Sequence, residues 1–89
     1  MLQKIKKSLR MINDQFDDEL QDLIDAALLD LKLSGVVNNL PDDKLILRAV
    51  TLYCKAQFGL ENQESEKYQA SYEYLKSHLS LSGEYNGDV

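Results

Sequence analysis

The 89 residues carry ten basic and fifteen acidic side chains, a net charge of −5, and 44% of them are hydrophobic while glycine and proline are scarce. That mix excludes a disordered chain, and its length makes one domain, 1–89, the natural count. An acidic surface repels phosphates and so argues against a general DNA binder.

Cys54 is the only cysteine, so no intrachain disulfide can form, which fits a reducing compartment. No apolar run approaches the ~18 residues that a membrane span needs. The basic start, Met1 to Lys7, precedes no apolar stretch of signal-peptide length, so synthesis in a cytosol is expected.

Four helices are predicted. The first covers about 2–12, with Leu2, Ile5, Leu9 and Ile12 on one stripe and its basic residues off it. Asn13, Asp14 and Asp17 supply turn or N-cap chemistry. The second helix runs from about Asp18 to Leu33. Leu20, Leu23, Ile24, Ala27 and Leu31 form its apolar face, Asp18, Asp22 and Asp25 lie opposite, and Gly35 is the stop. Residues 34–41 form the main loop. Pro41, Asp42 and Asp43 open a third helix that ends near Phe58, with Gly59 as its stop. Only Arg48, Thr51 and Lys55 interrupt its apolar circumference, which marks it as the central helix of the bundle. After a second loop, with Ser65 as N-cap, the fourth helix spans about 66–81 with Tyr68, Tyr72, Leu75 and Leu79 on one face. The tail, 83–89, is expected to fray. The fold class is therefore all-α, and Tyr53, Val50, Leu23, Leu75 and Tyr72 are expected to meet in the core.

Catalytic and metal chemistry find little support. His78, the only histidine, falls on the flank of the last helix, where a solvated imidazole is the simple reading. Cys54 sits in the most apolar segment, where a thiol acts as a small hydrophobe. Asp18, Asp22 and Asp25 follow no metal-binding loop pattern and read as a solvated acidic face. No glycine-rich phosphate loop, zinc spacing or nucleophile motif is present, so no cofactor, no metal and no enzymatic activity are expected.

Two features exceed what a monomer needs. Leu29 and Leu33 lie among the acids of the second helix, and Ala70, Tyr74 and Leu81 form an apolar strip on the fourth. Either a loop or the first helix covers them, or they meet another subunit, where tyrosine is enriched. Charge is also segregated. Lys4, Lys6, Lys7 and Arg10 have no acid among them, and Asp14, Asp17, Asp18, Glu19, Asp22, Asp25 and Asp30 have no base. The expected interface pairs Lys4, Lys6, Lys7 and Arg10 with Asp18, Asp22 and Asp25 of a neighbour, with Leu29 and Tyr74 supplying apolar contact; alternatively, the first helix folds back on its own subunit.

In order and spacing the chain resembles the small head–tail connector, or DNA-packaging adaptor, proteins of tailed bacteriophages. The matching pieces are Leu9-Arg10-Met11, the acids Asp14 and Asp17-Asp18, then Leu23-Ile24-Asp25-Ala26-Ala27, Ala49-Val50-Thr51-Leu52-Tyr53 and Tyr72-Glu73-Tyr74-Leu75. They cover about 2–82. Where many relatives carry an arginine-rich turn after the central tyrosine, this chain has Cys54-Lys55-Ala56-Gln57-Phe58-Gly59. The resemblance implies a homo-oligomeric ring beneath the portal protein of a phage or prophage virion. The ring extends the DNA channel and offers a docking surface to head-closure, stopper or tail proteins. DNA would pass without specific binding, and no membrane is involved. The alternatives are a small helical DNA-binding regulator and an adaptor for a host protein.

Overall fold

The computed structural model describes residues 1–58 and 64–87. Five helices follow in order: α1 Leu2–Ser8, α2 Asp17–Leu33, α3 Lys44–Phe58, α4 Ser65–Ser80 and α5 Gly83–Asn86, with no strand among the described residues. The predicted stop at Gly59 lies outside those residues.

α1 is shorter than predicted. Arg10 adopts a left-handed φ of 58°, and its N–H bonds Lys7 O at 3.1 Å while the Met11 N–H bonds Lys6 O at 2.9 Å. This pair of bonds is a Schellman stop, and it turns Ile12 out to solvent instead of along the stripe. Asn13 then makes a turn, its Oδ1 accepting the Gln15 N–H at 3.1 Å.

α2 ends as the glycine signal requires. Gly35 has φ +101°, its N–H bonds Lys32 O, and the Val36 N–H bonds Leu31 O at 2.8 Å. Val36 and Leu31 are both fully buried, so this Schellman turn carries its usual apolar contact into the core.

α3 starts later than Pro41. Asp43 is the cap: its Oδ1 accepts the N–H groups of Leu45 at 2.8 Å and Ile46 at 3.1 Å. The core gathers around α3, which packs on α4, α2 and α1 and buries Ile46, Ala49, Val50, Leu52 and Cys54. α2 contributes Leu20, Ile24, Ala27 and Leu31, α1 contributes Ile5, and α4 contributes Tyr72 and Leu79. Of the residues expected at the centre, Val50 and Tyr72 are buried. Tyr53, Leu23 and Leu75 form a partly buried shell. The α2 stripe points one step round from Leu23, so Leu20 fills the place expected for it.

The tail differs from the expectation of fraying through residue 87. Gly83–Asn86 is a helical turn clipped to the loop before α3. The Tyr85 hydroxyl donates to the Asp43 carboxylate at 2.9 Å. Asn38 donates to Tyr85 O at 3.0 Å and to Glu84 O at 2.8 Å. The Asp43 carboxylate and the backbone and side-chain N–H groups of Asn38 thus hold down a segment too short to bury much apolar surface.

Candidate assembly surfaces

The expected interface residues fall on three surfaces. On α2, the helical repeat sets Asp18, Asp22, Leu29 and Leu33 opposite the buried Ile24 and Leu31. All four are exposed, Leu29 at 57% and Leu33 at 78%. Asp25 is exposed on the flank, accepting from Gln21 at 3.0 Å. On α4, Ala70, Tyr74 and Leu81 lie opposite Tyr72 and Leu79, with Tyr74 79% and Leu81 84% exposed. Neither strip is covered by a loop or by α1 among the described residues.

The basic start divides. Lys4, Lys7 and Arg10 are exposed. Lys6 is not: only 6% exposed, it pairs with Asp14 at 2.7 Å and Asp17 at 2.8 Å of its own chain. Hydrogen bonds to Asp14 and Asp17 outweigh desolvation and hold the ammonium above its ordinary range, while Lys6 holds the Asp14 carboxyl below its own. Lys6 therefore leaves the set of residues offered to a neighbour. It faces inward because α1 packs its Ile5 side against α2 and α3, and the turn before α2 brings Asp14, and the first residue of α2 Asp17, to meet it.

Two features were not read from the sequence as surfaces. Lys4 and Ser8 of α1, with Lys44, Arg48 and Thr51 of α3, line a hollow of about 200 Å³ that contains no acid. The signal was there: 44, 48, 51 and 55 share one side of α3 by helical repeat. Beside it opens a cleft of about 980 Å³ whose lining includes Leu9, Arg10, Met11, Phe16, Lys55 and Phe58. Phe16 and Phe58 meet edge to face at 6.0 Å on its wall, and the Lys55 ammonium lies 5.4 Å from the Tyr68 ring centre. Folding assembles this cleft from four separate segments, so no local pattern announces it.

Elsewhere the polar groups serve the fold. Asp30 accepts from the Tyr72 hydroxyl at 2.5 Å and from Lys76 at 3.0 Å, and Lys76 also pairs with Glu73 at 2.9 Å. Burial pushes the Asp30 carboxyl up, but the bonds from Tyr72 and Lys76 outweigh it and hold the group below its ordinary range. Cys54 is buried, and desolvation pushes its thiol up to about 12, which leaves almost no thiolate at neutral pH. His78 is exposed. Among the described residues no cluster of His, Cys, Asp or Glu is arranged to hold a metal ion, and no helix is long and apolar enough to cross a membrane.

The molecule thus presents an acidic-apolar face on α2, a basic face on α1 and α3, and an apolar strip on α4. No curated protein and no solved structure matches this chain. A family model described as phage connector protein matches residues 1–86, and with that match over nearly its whole length, the chain belongs to the phage connector protein family.

Proposed function

We propose that this protein is a structural part of the virion, a head–tail connector that forms a homo-oligomeric ring under the portal. In this reading the ring prolongs the DNA channel and gives stopper or tail proteins their docking surface. It is made in the host cytoplasm and ends at the head–tail junction. The family match over residues 1–86 carries the reading. The exposed faces of opposite charge support it, because a ring needs two different surfaces on each subunit.

A helix-turn-helix regulator fits less well. The recognition helix of such a protein lies in the major groove and offers side chains to base edges, whereas α3 is the central helix and buries Ile46, Ala49, Val50 and Cys54. The test is genetic. A phage with a stop codon early in this gene should accumulate heads that contain portal but carry no tail, by electron microscopy and mass spectrometry. The purified chain, added back, should restore tail joining. Normal tailed virions from the mutant would overturn the reading.

A further inference from the structure

We infer that the outer face of α2 of a second copy lies along the basic face of α1 and α3, with Leu29 and Leu33 seated in the adjoining apolar cleft. The inference rests on the connector reading and specifies the contact that builds the ring.

Charge complementarity comes first. Lys4, Lys44, Arg48 and Arg10 have no ion pair among the described residues, and neither have Asp18 and Asp22. A row of unpaired cations and a row of unpaired acids on different sides of one molecule can satisfy each other only between molecules. The one acid on the cleft wall is Glu19, against the cations Arg10 and Lys55.

Spacing fixes the register. On α2 the steps from Asp18 to Asp22 to Leu29 are four and seven residues, and on α3 the steps from Lys44 to Arg48 to Lys55 are the same. Both rows rise about 1.5 Å per residue, so two helices laid in parallel set Asp18 beside Lys44 and Asp22 beside Arg48. Leu29 then arrives at the level of Lys55, where the cleft opens between Met11 and Phe58. The charged part of one face meets the charged part of the other, and the apolar ends coincide. Since the two faces differ, the contact is head-to-tail and can continue from copy to copy.

Arg10 adds an independent sign. It holds the left-handed φ that favours glycine at a helix stop. A strained arginine at the mouth of a cleft suggests that its side chain has a task beyond the turn. Here that task is to meet a carboxylate on the incoming α2, Asp25 being the nearest to Leu29 on that helix's acidic side.

The test uses the full chain carrying both Met11→Cys and Leu29→Cys, oxidised on portal-bearing heads from a phage lacking this gene. Cys54 stays buried and unreactive. The expected result is a ladder of disulfide-linked trimers and higher species, absent from either single variant. A second variant, Arg10→Gly, removes the backbone strain. It should hold or raise the melting temperature while weakening assembly at least about tenfold, as loss of one close interfacial charge pair does. If the unmodified chain joins the heads but the double variant gives no ladder, the docking is overturned and the connector reading stands. If Arg10→Gly assembles like the unmodified chain, the role of Arg10 is overturned. If the unmodified chain does not join heads at all, both readings fall.

Discussion

Single positions divide cleanly by depth. Leu20 is fully buried and Leu23, three residues on, is half-buried. Leu20→Ala should therefore cost about 2–5 kcal/mol, the range for truncation in a packed core. Leu23→Ala should cost roughly half as much, since less apolar surface is lost. Denaturant titration of both variants checks the order, and equal losses would mean that the α2 stripe is turned toward Leu23. Lys6 teaches a related lesson. Sequence spacing placed it with Lys4 and Lys7 as a surface base. Burial by neighbours distant in the fold cannot be read from local spacing, and its pairing with Asp14 and Asp17 shows that part of the charge segregation serves the subunit's own folding.

At the scale of elements, polar contacts hold the short pieces and apolar stripes hold the long ones. α2, α3 and α4 were legible because each repeats its apolar residues over four turns or more, and periodicity is the strongest signal a sequence carries. α1 was predicted too long and α5 was not predicted at all, because both depend on single contacts: the Arg10 turn and the Tyr85–Asp43 clip. Asp43 does two jobs, capping α3 and receiving Tyr85. Asp43→Ala should cost about 1 kcal/mol from the lost cap and should also loosen α5, seen as faster amide exchange at residues 83–86. The carboxylates also set a pH response. Desolvation opposes ionisation of Asp43, but bonds from Ile46, Tyr85 and Leu45 outweigh it, so its folded value lies below the ordinary 3.8. Asp30 behaves alike. Groups depressed in this way stabilise the fold fully above their ordinary value, and that contribution is lost as pH falls through the folded one. Burial and the Asp30 carboxylate push the Tyr72 hydroxyl up, so its contribution is full below about pH 10 and is lost at higher pH. The melting temperature should hold a plateau between these limits and fall on either side. Tyr72→Phe should lessen the alkaline fall and also weaken the Asp30 part of the acid one, because its hydroxyl helps to hold Asp30 low, while the Asp43 part of the acid fall should remain.

For the whole molecule, the acidic balance and the central place of α3 predict weak, salt-sensitive association with duplex DNA at physiological ionic strength. A gel-shift assay that found a sequence-specific submicromolar complex, as regulators form, would contradict this. The three-helix core and the identity of α3 as its centre were legible because α3 is apolar on nearly every side. The cleft and the basic hollow were not, since the hollow joins α1 to α3 and the cleft draws on α1, α2, α3 and α4, which only folding brings together.

The burial of Cys54 gives the molecule an internal clock. A disulfide-exchange reagent attacks only a thiolate that it can reach, and in the folded chain the thiol is both enclosed and held protonated. Labelling must therefore wait for an opening that parts α3 from its neighbours. At low denaturant and excess reagent, the modification rate measures how often the core comes apart. Comparing free chains with chains in assembled particles by this rate would report how much the neighbours slow that opening.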